Sequence, residues 1–286
     1  MRASLRGWVV SAKRAVVALV IAGAAAAAPA ATPATAQEPP PPELLPCRDL
    51  YVIGLRGAGQ EMTGSFGMGD TLQPYAQGIF DRLPRDGTVA FYSLPYDAAP
   101  FARDPQPYFR SVEAGRVLLF DLLLSLEFSC PESRVGLLAY SEGAHVVQRT
   151  LPGVFAGLER IRAMLLLGNP VSAGDTDYAG FGSLNVPEEE LQRVGGGVLG
   201  RTLVPSEIQE RTTDFCIQGD TVCDNDECFG EPQPPCQPRP EEVPISADTI
   251  ALAFGSSPHF DYPSCCIDFS ARGELGGEFA DRLMDA

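Results

Sequence analysis

Residues 134–148, RVGLLAYSEGAHVVQ, carry the pattern that decides the fold of this 286-residue chain. The apolar run Arg134–Tyr140 is typical of a buried parallel strand, and the residues from Ala144 onward have the composition of a helix. Ala139 and Gly143 are the small residues that a sharp strand-to-helix turn requires two positions before and after its central residue. The stretch therefore predicts a strand, a tight turn and a helix, with the Ser141 hydroxyl presented at the edge of a sheet.

Strands and helices alternate on both sides of this stretch. Three apolar runs and one short mixed segment predict four more strands, and helical spacing predicts helices at residues 70–83, 108–128 and 144–151, with another near residues 271–285. The four strands are expected at residues 50–55, 89–94, 161–167 and 213–217. This alternation predicts an α/β domain in which helices cover both faces of a mostly parallel sheet. Reactive groups in such a sheet collect beyond the carboxyl ends of the strands.

The N-terminal 36 residues have the composition of a secretory signal peptide. Basic residues precede the apolar run 15–28, and Ala34-Thr35-Ala36 matches an A-x-A cleavage site. The apolar run is too short for a stable membrane span. We therefore expect a signal peptide (1–36), a Pro-rich lead-in (37–46) and one secreted domain (47–286), with attachment to the cell envelope left open.

The charge excludes two classes of partner. Residues 1–36 hold four basic and no acidic residues, so their removal changes the formal net charge from −16 to −20. Such an acidic surface argues against binding to nucleic acid or to anionic membranes.

Eight cysteines follow the signal peptide, and an even number predicts disulfide bonds in a secreted protein. A metal site is the competing interpretation. No C-x-x-C pair occurs and the chain has only two histidines, so neither zinc nor another cofactor is expected. The acidic run 224–227, DNDE, lacks the third ligand and the glycine of a calcium-binding loop.

Ser141 is the candidate nucleophile. A hydroxyl on such a turn lies at the N-terminus of the following helix, where the Glu142 amide can face a developing oxyanion. A serine that merely caps the helix is the alternative. The apolar strand before the turn favours the nucleophile.

A serine nucleophile needs a base, usually a histidine. His145 lies one helical turn beyond Ser141, with its ring directed away from the turn, and is interpreted as a packed helix residue. His259 comes late in the chain, which fits the order serine, acid, histidine of the α/β-hydrolases. Asp220, just after the fifth strand, is the candidate acid; the competitors Asp224, Asp226 and Glu227 are interpreted as a solvated loop.

Taken together, these motifs resemble the cutinase family of serine esterases over roughly residues 47–282. The chain has I-G-L-R-G-A-G-Q at residues 53–60 where the family has A-R-G-[ST]-x-E, and A-Y-S-E-G at 139–143 where the family has G-Y-S-Q-G. It has C-x3-D-x2-C around Asp220, and His259-Phe-Asp-Tyr262 at the position of the family's histidine.

The resemblance implies a three-layer α/β/α sandwich with a central, mostly parallel five-stranded sheet. It implies the disulfides Cys47–Cys130 and Cys216–Cys223, and an oxyanion hole formed by the amides of Ala58 and Glu142. It also implies a lidless esterase, expected to be a monomer, that hydrolyses short and medium acyl esters or cutin-like polyester through an acyl-enzyme. Acetylxylan esterase and lipase or phospholipase activities use the same machinery. A catalytically inactive binding module on the same scaffold is the alternative of a different class.

The chain departs from the family pattern in three places. Ala58 replaces a hydroxyl residue in the oxyanion hole, so one side-chain donor is lost. The segment between Asp220 and His259 is unusually long, and we expect residues 226–240 to form a wall of the substrate site. Four additional cysteines are present, and Cys228 and Cys236 are each expected to form a disulfide with one of Cys265 and Cys266.

Overall fold

The computed structural model describes residues 45–100, 104–154, 157–173, 196–200, 202–216, 220, 222–223, 259, 262 and 279–284. The predicted signal peptide and most of the Pro-rich lead-in lie outside the described residues. So do the four additional cysteines, the acidic run 224–227 and the expected wall at 226–240.

Five parallel strands form the centre of the domain, in the order β2-β1-β3-β4-β5. The strands are β1 (Leu50–Leu55), β2 (Val89–Ser93), β3 (Arg134–Tyr140), β4 (Ile161–Leu167) and β5 (Thr212–Phe215). The main helices are α1 (Gly69–Arg82), α2 (Gln106–Ser129) and α3 (Glu142–Thr150). This arrangement confirms the predicted α/β fold and its five-stranded sheet.

The continuous apolar runs predict the strand bounds most accurately. β1, β3 and β4 begin and end at the predicted residues, because a strand buried on both faces has an apolar side chain at nearly every position. β5 begins at Thr212, which aligns with Met164 of β4, and ends at Phe215, where the prediction has residues 213–217. α3 begins at Glu142, two residues before its predicted start, because the helix follows the turn at Ser141 directly.

Side chains of the sheet alternate between two apolar layers. Along β3, Leu137 and Ala139 pack into the layer that contains Leu119 of α2, whereas Leu138 faces the layer that contains Leu72 of α1. A short helix at residues 279–284 also packs into the second layer. Part of the helix expected at 271–285 is therefore present, and the remainder lies outside the described residues. Burying each of these leucine side chains contributes roughly 1.5–3 kcal/mol.

The chain changes direction across the sheet between β1 and β3. From β1 it continues to β2 on one side of the sheet, and from β2 it returns to β3 on the other side of β1. In open α/β sheets the crevice beyond the carboxyl ends of the strands at such a switch point is the usual ligand site. Residues 56–60 follow β1 and Ser141 follows β3, so both candidate regions are at this crevice.

Two disulfides are present among the described residues. Cys47–Cys130 joins the segment before β1 to the end of α2, and Cys216–Cys223 closes a short loop after β5. Both pairings are those that the resemblance implies. Within the described ranges, no helix has the length and apolarity needed to cross a bilayer.

Candidate active site

Ser141 occupies a strained turn between β3 and α3. Its φ of 52° and ψ of −113° are unusual for a residue with a side chain. The backbone of β1 passes so close that a Cβ at Gly143 would lie 2.1 Å from the carbonyl oxygen of Leu55. The Ser141 amide donates to the carbonyl of Leu167 at 2.8 Å, which attaches the turn to β4. The small residues noted in the sequence are therefore required by the contact of the turn with its neighbouring strand.

Three distant side chains meet at this turn. The Ser141 hydroxyl lies 2.8 Å from Nε2 of His259, and Nδ1 of His259 lies 2.9 Å from Oδ2 of Asp220. All three residues are buried, with exposed fractions of 2% or less. The structure thus brings together the candidate nucleophile, base and acid in one hydrogen-bonded chain.

The Asp220 carboxylate has further donors besides the histidine. The backbone amide of Val222 donates to Oδ1 at 3.0 Å, and the Tyr262 hydroxyl donates to Oδ2 at 2.9 Å. Hydrogen bonds to both oxygens fix the orientation of the carboxylate. Because Asp220 accepts from Nδ1 of His259, the ring presents Nε2 as the acceptor for the Ser141 hydroxyl.

Tyr140 supports the histidine from its other side. Its ring stacks on the imidazole of His259, with centroids 5.3 Å apart, and its hydroxyl donates to the His259 carbonyl at 2.5 Å. The roles of Tyr140 and Tyr262 were not predicted from the sequence. Only their positions in the sequence could have indicated these roles. Tyr140 directly precedes the candidate nucleophile, and Tyr262 follows the candidate base by three residues.

The loop that carries Ala58 is held against the turn from several directions. A Cβ at Gly57 would lie 2.5 Å from the Tyr140 ring and 3.3 Å from Cβ of Ser141, so loop and turn are in contact. The Gly57 amide donates to Oε1 of Gln60 at 2.9 Å. In the described part of the chain, the Ala58 amide donates to no other group. Glu142 is the first residue of α3, where an amide has no partner within the helix.

The segment after β2 supports the same loop. Gly59 donates its amide to the Ala98 carbonyl at 2.7 Å, and Ala98 has the positive φ of 49° that aims this carbonyl at the loop. The Arg56 guanidinium donates to the carbonyls of Leu94, at 3.1 Å, and of Tyr96. These contacts join sequence-distant segments, so neither composition nor periodicity could reveal them.

His145 lies outside this arrangement, as the sequence indicates. Its Nδ1 is 3.0 Å from the Tyr108 hydroxyl, and the residue is buried between α2 and α3. Burial, helped by the nearby charge of Arg149, lowers the pKa of His145 to about 3, so the ring is neutral.

One cluster has the composition of a metal site. Among the described residues, only Cys216, Asp220 and Cys223 place three potential ligand atoms close together. Both sulfurs are used in the disulfide, and the carboxylate already accepts from His259, Tyr262 and Val222. This cluster therefore does not have the thiolate ligands that zinc would need.

Comparison with known proteins gives one family and a consistent fold. The Cutinase family model matches residues 46–232, and no curated protein matches the chain by sequence. A cutinase-like protein from Cryptococcus sp. is similar in structure, with 20% identity, a TM-score of 0.58, and coverage of 83% of this chain and 96% of that chain. The catalytic core domain of acetyl xylan esterase from Trichoderma reesei gives 16% identity, a TM-score of 0.50, and coverage of 83% and 100%.

The identities to these solved structures are low, so they establish the shared fold alone. The family model spans more than half of the sequence, including the serine turn and the Asp220 loop. On this match, the chain belongs to the cutinase family and is a carboxylic ester hydrolase.

Proposed function

We propose that the protein hydrolyses carboxylic esters through an acyl-enzyme formed on Ser141. The observation that carries this proposal is the continuous hydrogen-bond chain from Ser141 through His259 to Asp220. A serine hydroxyl becomes a competent nucleophile when a base accepts its proton and a third group orients that base.

Acylation begins as Ser141 Oγ attacks the ester carbonyl and transfers its proton to Nε2 of His259. Asp220 keeps the proton of the ring on Nδ1 and stabilises the imidazolium that forms. As the tetrahedral intermediate collapses, His259 returns the proton to the alcohol, which leaves. Water then attacks the acyl-enzyme and gives a proton to the same histidine, which passes it to Ser141 Oγ as the bond between the acyl carbon and Oγ breaks and the carboxylic acid is released.

The amides of Ala58 and Glu142 form the proposed oxyanion hole. Each belongs to a segment fixed by neighbouring backbone, so the donors are oriented before the substrate arrives. Preorganised donors of this kind act where charge develops in the transition state. Ala58 contributes only its backbone amide and no side-chain donor, so we expect a modest turnover.

We propose short and medium acyl esters as substrates, including cutin-like polyester. Acetylated xylan and lipid esters are further candidates, since the same chemistry cleaves them. We also propose that the protein is secreted, because a signal peptide is predicted and the two disulfides agree with an oxidising compartment, and that it acts as a monomer, as the resemblance implies.

A chain-length series of p-nitrophenyl esters, measured for the wild type and Ser141→Ala, tests the proposal. Ser141→Ala should lower kcat at least about a thousandfold. Asp220→Asn should lower it about ten-thousandfold, because an amide stabilises the wrong ring tautomer.

A fluorophosphonate probe separates an enzyme from a binding module on the same fold. The wild type should be labelled at Ser141, and Ser141→Ala should not. A wild type that is folded but neither labelled nor active on any ester of the series contradicts the proposal.

A further inference from the structure

Glu142 places a carboxyl group in the interior, directly after the proposed nucleophile. The residue has an exposed fraction of 0%, and neither side-chain oxygen has a hydrogen-bond partner of good geometry among the described residues, although the Ser111 hydroxyl acts on the carboxyl as a donor. An isolated ionised carboxylate is costly to bury, so such a group favours its neutral form. The proposed reaction uses only the backbone amide of this residue and leaves the side chain without a role.

Charged and titratable groups face this carboxyl from three neighbouring elements. They are Arg56 after β1, Tyr96 and Asp97 after β2, and Tyr108 with the Ser111 hydroxyl on α2. Burial is the largest influence and raises the pKa of Glu142 to about 8, against the opposing effects of Ser111 and Arg56. Asp97 adds to the increase in this pKa. On the same helix, His145 is neutral and contributes no charge.

Arg56 is already committed to backbone carbonyls. Its Nε donates to the carbonyl of Gln60 at 2.8 Å, and its two terminal nitrogens donate to the carbonyls of Leu94 and Tyr96. The guanidinium therefore holds the Ala58 loop in place and makes no hydrogen bond to Glu142. An ionised Glu142 would attract Arg56 away from these carbonyls.

On the basis of the proposed function, we propose that Glu142 is a positioning residue whose side chain must be neutral for the oxyanion hole to work, so that its ionisation limits the esterase at alkaline pH. In the transition state the negative charge develops on the substrate oxygen, which accepts from the backbone amide of Glu142 itself. A second negative charge on the side chain of that residue repels the oxyanion across a short, water-poor distance. We expect ionisation to lower kcat/KM about tenfold or more.

The pH dependence of kcat/KM between pH 5 and 10, measured on a p-nitrophenyl ester with blank correction, tests this inference. The wild type should lose activity as the pH rises through about 8, whereas the nearly isosteric Glu142→Gln should keep its plateau to higher pH. Glu113→Gln, the same change on the exposed surface of α2, is the matched control and should follow the wild type. A change of packing alone would scale the whole profile without removing its alkaline limb.

A second variant tests whether the position of the carboxyl, and not its presence in this region, causes the alkaline limb. Gln60→Glu combined with Glu142→Gln moves the carboxyl to position 60. There it can still accept from the Gly57 amide, and the Thr71 hydroxyl can donate to it in place of the present bond from Gln60 to Thr71. This double variant should also lack the alkaline limb.

Infrared difference spectra give a readout that does not depend on turnover. In an Asp214→Asn background, which removes the other buried carboxyl with a raised pKa, the band of a protonated carboxyl should disappear over the pH range of the activity loss, and it should be absent once Glu142→Gln is added. An active wild type without an alkaline limb, or with a limb that survives in both variants, overturns the inference. A wild type that is inactive at every pH instead overturns the proposed function, and the inference falls with it.

Discussion

The Tyr140 hydroxyl donates to the carbonyl of His259 at 2.5 Å, while its ring stacks on the imidazole of the same residue. Tyr140 ends β3, immediately before Ser141, so one strand carries both the proposed nucleophile and a support for the proposed base. The position of the histidine relative to the hydroxyl is thereby tied to the central sheet.

Tyr140→Phe should lower kcat about tenfold with little change in KM. The variant keeps the ring contact but loses a buried hydrogen bond to the His259 backbone, worth roughly 1–3 kcal/mol when its acceptor is left unsatisfied. Steady-state kinetics check this, with Tyr140→Leu as the variant that removes the ring contact as well and should be slower still. Equal kcat values for Tyr140→Phe and the wild type would show that the Tyr140 hydroxyl does not position the base.

The two disulfides should affect stability and activity in opposite order. Cys47–Cys130 closes a separation of 83 residues, whose loss costs up to about 4.6 kcal/mol by chain entropy, against about 2.5 kcal/mol for the separation of 7 residues closed by Cys216–Cys223. Serine substitution of the first pair should therefore lower the free energy of unfolding more. Substitution of the second pair should lower kcat more, because that loop holds Asp220.

Urea unfolding and ester kinetics on both double-serine variants, at a temperature where each is folded, provide the measurements. If the Cys216–Cys223 variant retained full kcat, the disulfide would have no part in orienting the acid.

Ala58→Thr should raise kcat about tenfold. Threonine adds a hydroxyl donor beside the proposed oxyanion, and single donors at such positions are worth about 2.7–4 kcal/mol when fully formed. Ala58→Val is the matched control, since valine has nearly the same shape without the donor, and it should give no increase. Parallel kinetics on the two variants decide the matter; an equal response would mean that volume at position 58, not hydrogen bonding, changes the rate.

Asp214→Asn should stabilise the protein at alkaline pH. Asp214 is buried on β5 and accepts from Nδ2 of Asn169 at 3.0 Å. Burial raises its pKa from 3.8 to about 7, although the hydrogen bonds from Asn169 and Ser172 oppose the increase. Between these pH values the folded state holds a proton that the unfolded state has released, so stability falls as the pH rises from about 4 to 7.

The asparagine variant lacks this loss and should exceed the wild type by about 2 kcal/mol at pH 8, with a smaller difference at pH 4. Urea denaturation at the two pH values measures it, with the exposed Asp81→Asn as control. A wild-type stability that does not fall over this range would mean that Asp214 ionises in the folded protein as readily as in the unfolded chain.

Patterns within one segment predict the fold well. β1, β3 and β4 are continuous apolar runs. Such a run is typical of a parallel strand that is buried on both faces. The bounds of β5 are less accurate because its four residues, TTDF, include a buried acid and lack that apolar signal. Ser141 could be located because Ala139 and Gly143 mark the turn within a few residues of it.

By itself, the sequence determined the parallel sheet, the serine turn and the identity of the candidate acid and base. It did so because close packing of a strand and of a tight turn restricts neighbouring residue types. Only the tertiary structure decided that Tyr140 and Tyr262 support His259 and Asp220, and that the Glu142 carboxyl is buried with no ion pair to any residue the structure describes. Which side chains contact one another depends on which distant segments pack together. The order of apolar and polar residues along one segment does not determine that packing.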